Sequence, residues 1–180
     1  MSRLRRLSST LPPLSTDAAL ARFDQLEPVD IEFMLGDWQG CSVSTGHPLD
    51  GLLELYHWHG KRFCSSEEVH PLVFRAPGGV RRQLRPGLLT PGLNWLGTLP
   101  GERSPLMVAL FRALMPLMST DRSGARLRIT RYRGRDSATM IYDHAPINDV
   151  FRRLDANRVL GVMDMKGMNQ PFVFELSRQT

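Results

Sequence analysis

The stretch Gly36-Asp37-Trp38-Gln39-Gly40 decides how the rest of the chain is interpreted. It places one large aromatic side chain between two glycines. A glycine allows close approach of two backbones or a positive φ angle, and a tryptophan side chain is large enough to plug one end of a β-barrel. Helical spacing precedes this stretch and strand-like alternation follows it. We therefore predict that Trp38 is buried where a helical N-terminus meets the first strand.

The residues before this stretch predict a capped helix. Ser15 is a candidate N-cap, and Leu20 and Phe23 then recur at helical spacing. Pro28 ends the helical pattern. The apolar segment 31–35 follows directly. We expect the helix and this segment to lie over one end of the sheet.

Most of the chain after Trp38 predicts short strands. Two-residue alternation or short apolar runs, separated by turn-forming residues, predict strands at 38–45, 53–63, 69–74, 80–84, 93–96, 125–132, 137–142, 159–166 and 172–178. Within the second of these, Gly60 indicates a bulge or a turn. Segment 146–154 fits a helical turn and a strand equally well. Many short strands at close spacing are typical of an antiparallel barrel or sandwich.

One apolar segment, Pro105 to Met118, interrupts the strands and predicts a helix. It is apolar nearly all round and includes Phe111 and Met115. A methionine-rich helix adapts to irregular ligands, but methionine also fills gaps in ordinary cores. Two interpretations stay open, namely a core helix and a lid over a pocket.

The charge of the chain is uneven. Its 180 residues fit one domain with a sizeable core. The net charge is +5, and the segment 71–135 holds twelve arginines against two acidic residues. This composition favours a solvated basic face. No helix-turn-helix, zinc-finger or RNA-binding motif accompanies it, so nucleic acid is not an expected partner. A membrane surface is not favoured either, and the oligomeric state is left open.

Cysteine usage and hydropathy predict a cytoplasmic protein. Cys41 and Cys64 form no Cys-x-x-Cys motif, and reduced thiols are typical of the cytoplasm. No secretory signal is visible, and no apolar run approaches the roughly 20 residues that a spanning helix needs. The first ten residues, rich in Arg and Ser and without acids, fit a flexible tail better than a transit peptide.

The last strands hold a polar pair on an otherwise apolar face. Asp164 and Lys166 are two residues apart, so they share a strand face with Leu160 and Val162. If that face is the interior of a barrel, the two charges form an ion pair that lines a cavity. The alternative is a polar rim at the strand end.

Other titratable residues are candidates for acid–base chemistry. Asp143 lies between Tyr142 and His144, and Asp149 follows closely. A carboxylate beside an imidazole can transfer protons, although aspartates in such positions also form turns. His47 lies in a loop close to the Trp38 stretch, where it is a possible base, a ligand contact or a packing residue.

Metal and nucleotide motifs are weak or missing. His57 and His59 have a spacing that is sometimes used for metal ligation, but no third ligand is clearly placed. We therefore expect no metal. The sequence contains no nucleotide-binding loop, no Gly-x-Ser-x-Gly elbow and no dinucleotide-binding fingerprint.

The spaced motifs resemble a known pairing of two domains. The first half is similar to the GXWXG family, and the second half is similar to the domain of unknown function that usually follows it. The motifs that carry the resemblance are Gly36-x-Trp38-x-Gly40, His47-Pro48-Leu49, Trp58-x-Gly60-Lys61-x-Phe63, Val69-x-Pro71-Leu72, Tyr132-Arg133-Gly134, Pro146-Ile147-x-Asp149-x-Phe151, Leu160-Gly161-x-Met163-Asp164-x-Lys166-Gly167 and Pro171-Phe172.

A looser resemblance links the chain to calycins, which include lipocalins and nitrobindin-like haem proteins. In lipocalins a basic residue of the last strand covers the tryptophan, and Arg178 is placed for that role. Nitrobindin-like proteins carry a further glycine where this chain has Ser42, and they bind haem through a His near the C-terminus. This chain has no His after His144, so neither haem nor another cofactor is expected.

The resemblance implies a mainly β fold. We expect a single calycin-like antiparallel β-barrel with an N-terminal helix and an apolar helix inserted near 105–118. The expected divisions are a flexible N-terminus at 1–14 and one domain at 15–180, made of halves 15–75 and 120–180 joined by loops and a helix at 76–119.

The functional prediction has two forms. In the first, a barrel cavity binds a small, largely apolar ligand that is either neutral or anionic. Its candidate binding residues are Trp38, Lys61, Phe63, Arg128, Tyr142, Phe111 and Met115. In the second, a cofactor-independent enzyme of the same fold performs acid–base chemistry as an isomerase, cyclase or hydrolase. Its candidate catalytic residues are His47, Asp143, Asp149, Asp164 and Lys166. A third and weaker hypothesis is a membrane-surface module.

Overall fold

The described part of the chain is mainly β. The structure is a computed structural model that describes residues 9, 11–89, 101 and 103–179. Its strands are β1 (Glu27–Pro28), β2 (Gly36–Ser42), β3 (Trp58–Phe63), β4 (Val69–Arg75), β5 (Arg81–Gln83), β6 (Ala125–Tyr132), β7 (Arg135–Tyr142), β8 (Ile147–Asp155), β9 (Arg158–Met165) and β10 (Phe172–Arg178). Its α-helices are α1 (Thr16–Gln25), α2 (Ile31–Met34), α3 (Leu52–Leu55), α4 (Pro86–Leu89) and α5 (Pro105–Met118).

All these strands belong to one antiparallel sheet with a partly ring-like closure. The strand order is β1-β8-β7-β6-β4-β3-β2-β10-β9, with β5 beside β4. β9 also pairs with β8, from Ile147↔Met165 to Asp155↔Arg158, and this second pairing brings the path back on itself. The join between β4 and β6 is the narrowest, because it consists of the single pair Val69↔Ala125. The predicted mainly β, antiparallel fold is confirmed.

The sheet buries side chains on two faces. The inner face holds the large core cluster, to which β9 contributes Val159, Met163 and Met165. The alternate β9 residues, Leu160 and Val162, lie on the outer face and form a second cluster with Ala19 and Phe23 of α1. Helix α1 therefore covers part of the outside of the sheet. Ser15 caps α1 as predicted, because its side chain accepts a hydrogen bond from the Ala18 N–H.

Trp38 is fully buried, as predicted. Its Nε1–H donates to the main-chain oxygen of Met34, 2.7 Å away. The Arg178 guanidinium group lies over the indole ring at 4.3 Å and donates to the main-chain oxygen of Leu35 at 2.7 Å. A cation over an indole face is a favourable arrangement. Arg178 thus ties the last strand to α2 across Trp38, which confirms its predicted position.

Several predicted elements need correction or completion. Residues 53–57 are not strand, because Gly51 adopts φ 70° and begins the short helix α3, and His57 adopts φ 64° before β3 starts. Segment 146–154, which the pattern left open, is strand. The turn between β6 and β7 lies at Arg133-Gly134, where both φ angles are positive, between the strands predicted at 125–132 and 137–142. Helix α5 has the predicted bounds. The strand predicted at 93–96 lies outside the described residues.

Candidate functional site

The most unusual feature of the inner face is a buried ion pair. Lys61 of β3 and Asp149 of β8 lie 2.7 Å apart from Nζ to Oδ2. Their side chains are only 4% and 1% exposed. Lys61 Nζ also lies 3.4 Å from the main-chain oxygen of Pro71, to which it donates. Because burying a charge is costly unless it is paired, the two residues depend on each other.

Aromatic rings surround the ammonium group. Lys61 Nζ lies 5.1 Å from the ring centroid of Phe174, 5.6 Å from that of Trp58 and 5.8 Å from that of Tyr142. A cation near aromatic faces is stabilised by about 0.5–2 kcal/mol per contact, depending on its desolvation. The rings also exclude water, which strengthens the attraction between Lys61 and Asp149. The site is therefore one charged pair inside an apolar wall.

Two polar atoms at this site have no hydrogen-bond partner among the described residues. They are Asp149 Oδ1, the second oxygen of the ion-paired carboxylate, and Trp58 Nε1. Each is buried. A buried polar atom without a partner costs about 1–3 kcal/mol. The site thus holds an unpartnered acceptor and an unpartnered donor around the same lysine.

Burial also changes the acidity of the site. It raises the pKa of Asp149, and the Lys61 ammonium group opposes that rise without cancelling it. Burial raises the pKa of Tyr142 well above its usual range, and the nearby Asp149 charge adds to the effect. Tyr142 therefore stays a neutral phenol. Asp149 is a carboxyl group whose proton affinity is higher than in water.

The local sequence explains why Trp58 and Lys61 meet. Strict alternation places them on opposite faces of a strand, but the β3–β4 register shifts on both sides of Gly60. Gly60 has φ 147°, and a Cβ atom there would overlap the main chain of Trp38. Only glycine fits this close approach. Of the bulge and the turn that the sequence left open at Gly60, the structure has the bulge, and it brings the indole and the ammonium group to one site.

Helix α5 covers one side of the inner core. Met115 is fully buried in the core, and the Phe111 ring lies 5.0 Å from that of Tyr56 and 5.3 Å from that of Phe74. The opposite face of the helix is exposed, with Leu106 and Leu117 each 77% accessible. The helix is therefore a one-sided cover, although the sequence is apolar nearly all round.

The structure brings several predicted residues together. Lys61, Asp149 and Tyr142 form the site itself. Trp38, Phe63 and Met115 belong to the same buried cluster. Phe63 contacts Phe151 edge to face with ring centroids 5.8 Å apart, and Phe151 in turn contacts Phe174 at 6.3 Å. These rings connect the predicted apolar residues with the ion pair.

The predicted Asp164–Lys166 ion pair in the interior is wrong. Asp164 lies on the outer face with Leu160 and Val162, and both Asp164 and Lys166 are exposed. Leu160 and Val162 are apolar because helix α1 covers them. In the sequence, this apolar pattern cannot be distinguished from that of an inner face. The polar-rim alternative describes Asp164 and Lys166 correctly.

Two other predicted residues also lie outside the interior. Asp143 is exposed, and its carboxylate lies 3.9 Å from Arg126. Arg128 points outward and forms an ion pair with Glu67 at 2.7 Å. Asp143 is therefore not in the interior beside Lys61, and Arg128 is not part of the inner wall. Arg128 lies at a solvent-facing position of β6, and Asp143 directly follows the end of β7.

His47 is buried, but its ring nitrogens are engaged locally. Its Nδ1 accepts from the Leu49 N–H at 3.0 Å, and its Nε2 lies 3.1 Å from the main-chain oxygen of Gln170. Burial lowers the pKa of His47. A neutral His47 that donates to Gln170 satisfies both contacts. It holds the 44–51 loop against the turn before β10.

The paired imidazoles predicted at His57 and His59 do not share a strand face, because His57 precedes β3 and has a positive φ. His59 Nδ1 accepts from Arg75 Nε at 3.1 Å.

Among the described residues, no helix is long and apolar enough to cross a membrane.

Comparison with known proteins identifies the family. The model of the GXWXG protein family matches residues 21–79, and that of the domain of unknown function DUF4334 matches residues 123–178. The crystal structure of a protein from Thermomonospora curvata is 32% identical, covering 93% of this chain and 90% of its own, with a TM-score of 0.68. No curated protein matches the chain. The chain belongs to the GXWXG family in its pairing with DUF4334, as predicted.

Proposed function

We propose that the inner face of the sheet binds one small, largely apolar molecule that carries a hydroxyl or carbonyl group. The observation that carries this proposal is the pair of unpartnered buried atoms, Asp149 Oδ1 and Trp58 Nε1, beside Lys61. A ligand hydroxyl group is a suitable donor for the first atom and a suitable acceptor for the second. Such a ligand relieves about 1–3 kcal/mol at each atom.

The wall of the site favours a neutral ligand. Lys61 is already neutralised by Asp149 at 2.7 Å. A ligand carboxylate would add a second negative charge to a water-excluded site, which is costly. Phe174 and Tyr142 offer apolar surface instead. Recognition therefore rests on apolar contact plus one or two hydrogen bonds, as is usual for small-molecule sites.

A calycin-like barrel is the architecture proposed for this site. The partly ring-like strand path and the Arg178 guanidinium group over Trp38 support it.

We also propose a cytoplasmic location, which the two free thiols, Cys41 and Cys64, support.

An enzyme is the second candidate function, and one observation favours it. Burial raises the pKa of Asp149, whose Oδ1 is free to take or give a proton. A carboxyl group with raised proton affinity in an apolar site is a suitable general acid or base. Lys61 and Tyr142 would stabilise negative charge that develops on the substrate. Proton transfer within an apolar metabolite, as in isomerisation, is the reaction that this set supports.

A pair of double variants tests the binding proposal. Lys61→Met/Asp149→Leu removes both buried charges together, which avoids leaving one unpaired. Asp164→Asn/Lys166→Met changes the same residue types on the exposed outer face and is the matched control. Each protein is analysed by native mass spectrometry after purification, and by titration with a neutral and an anionic apolar fluorescent probe.

The two double variants are expected to differ. The wild type and the outer-face control should retain a bound small molecule or bind the neutral probe. The inner variant should lose this binding and still be folded, as judged by circular dichroism. Equal binding by the inner variant would place the ligand elsewhere. A wild type that carries no ligand and binds neither probe would overturn the proposal.

A further inference from the structure

We propose that the β3–β4 hairpin binds a zinc ion through Cys64, Glu68 and His70. The thiol sulfur, a carboxylate oxygen and an imidazole nitrogen of these residues all lie within 4.8 Å of one another. They are on the outside of the sheet and have no part in the inner site. The proposal is therefore independent of the function proposed above.

The hairpin register places the three side chains on one face. β3 and β4 pair through Arg62↔His70 and Phe63↔Val69. The next position brings Cys64 opposite Glu68, where the Cys64 N–H donates to the Glu68 main-chain oxygen at 2.9 Å. Glu68 and His70 are two residues apart along an extended chain, so they face the same way. Alternation and cross-strand pairing together produce the cluster.

The turn that joins the two strands is held by its own side chain. Ser65 Oγ accepts from the Glu67 N–H at 3.2 Å and from the Glu68 N–H at 3.0 Å. Such local hydrogen bonds favour a fixed turn. The backbone beneath Cys64 and Glu68 is therefore ordered before any ion arrives.

The distances are compatible with a tetrahedral ion after a small movement. Zinc–ligand bonds of 2.0–2.3 Å in tetrahedral geometry put ligand atoms roughly 3.3–3.8 Å apart. His70 Nε2 already lies 3.5 Å from Glu68 Oε1, and the His70 side chain is only 4% exposed. Cys64 is exposed and free to turn by the remaining distance of about 1 Å. His70 is thus the fixed anchor, and the other two ligands close on the ion.

The chemistry of the set selects the kind of ion. A thiolate, a carboxylate and a neutral imidazole carry two negative charges, which a divalent cation balances. Sulfur and imidazole ligands favour zinc over magnesium or calcium. Three protein ligands leave a fourth position for water or for an external ligand.

The neighbouring positive charge is already engaged. Arg62 lies opposite His70, but its guanidinium group forms two hydrogen bonds with Asp37, at 2.7 and 3.1 Å. The His70 side chain is buried beside this ion pair, and its imidazole contacts Glu68. The Asp37 carboxylate therefore offsets part of the Arg62 charge beside the site.

Cobalt(II) titration provides the test, because cobalt replaces zinc and gives a thiolate charge-transfer absorption. Wild-type protein, reduced and freed of metal by a chelator, is titrated with cobalt and then with zinc. We expect one equivalent of cobalt, the thiolate band, and its loss when zinc displaces cobalt. Affinity should rise with pH, because the thiol gives up its proton on binding.

Three variants locate the site. Cys64→Ser should abolish the band, and Glu68→Gln should weaken zinc binding more than about 100-fold, since even outer contacts of a metal site are worth 10–100-fold. Cys41→Ser is the matched control, because it changes the other cysteine and should leave binding intact. Absence of stoichiometric binding at micromolar zinc, or a band that survives Cys64→Ser, would overturn the proposal. Cys64 and Glu68 are exposed, so both variants should fold.

Discussion

The chain contains two lysines, and the two regions in which they lie behave in opposite ways. Lys61 is buried on the inner face and is paired with Asp149 at 2.7 Å. Lys166 is exposed beyond the end of β9, near the exposed Asp164. Asp164 and Lys166 are two residues apart in the sequence, whereas Lys61 and Asp149 are far apart. The short separation of Asp164 and Lys166 in the sequence suggested an internal ion pair between them, but the buried pair is the one between Lys61 and Asp149.

The difference shows what strand alternation can reveal. It correctly groups Asp164 with Leu160 and Val162 on one face. It does not say that this face is the outer one, because helix α1 covers the two apolar residues as completely as the core covers the inner face. When a strand is apolar on both faces, alternation alone does not show which face points to the core. A second observation is needed to identify the inner face.

The largest expected effect separates the two aspartates. Asp149→Asn leaves Lys61 buried without a countercharge, and breaking a buried pair in this way costs about 3–5 kcal/mol. Asp164→Asn, on the exposed face, should change stability by less than about 0.5 kcal/mol. Urea unfolding of both variants measures the free energy of unfolding. Equal effects would mean that the inner pair is not buried as described.

The next effect concerns the glycine that brings Trp58 to Lys61. Gly60→Ala adds overpacking against the Trp38 main chain to the strain of a positive φ, so we expect a loss of about 2–4 kcal/mol. Gly134→Ala also has a positive φ but meets no atom within 4 Å. It should cost only about 1–2 kcal/mol. Thermal unfolding compares them, and a Gly60 variant as stable as the Gly134 variant would contradict the close approach.

A third effect is a pH dependence of stability at His59, which lies between Trp58 and Lys61 in the sequence. Burial, and then the charges of Arg81 and Arg75, lower the pKa of His59 from 6.5 to about 4. Between these values the unfolded chain binds the proton and the folded protein does not, so stability falls as the pH falls through this window. At about 1.4 kcal/mol per pKa unit, the loss approaches 3 kcal/mol.

His59→Gln should flatten this part of the stability profile. Chemical unfolding at pH 7, 6, 5 and 4 compares the variant with the wild type. The other buried histidines, His47 and His70, are present in both proteins, so their contributions cancel in the difference. An unchanged slope between pH 6.5 and 4 would show that His59 is protonated in the folded protein.

The smallest effect concerns Arg128, which was predicted to bind the ligand. Its ion pair with Glu67 is largely exposed, at 41% and 67% of the two side chains. Exposed pairs contribute about 0.2–1 kcal/mol, and salt weakens them further. A double-mutant cycle with Arg128→Ala and Glu67→Ala should give a coupling in that range. Loss of inner-site probe binding in Arg128→Ala would contradict the outward position of this residue.

Much of the local structure was predictable because it depends on neighbours in the sequence. The Ser15 cap, the bounds of α5 and the bulge at Gly60 all follow from short-range chemistry. The helix at Leu52–Leu55 was missed, because its alternating apolar residues mimic a strand. The burial of Trp38 and the position of Arg178 were predictable from a family resemblance as well as from residue type.

The sequence alone determined the family, the mainly β class, the burial of Trp38 and the candidate status of Lys61, Asp149 and Tyr142. Only the tertiary structure decided which of the predicted charges meet. Lys61 and Asp149 come from β3 and β8, which are not neighbours in the strand order. Their contact depends on the curvature of the whole sheet and on which face α1 covers. Those properties arise from packing between distant segments, and a residue pattern along one strand does not contain them.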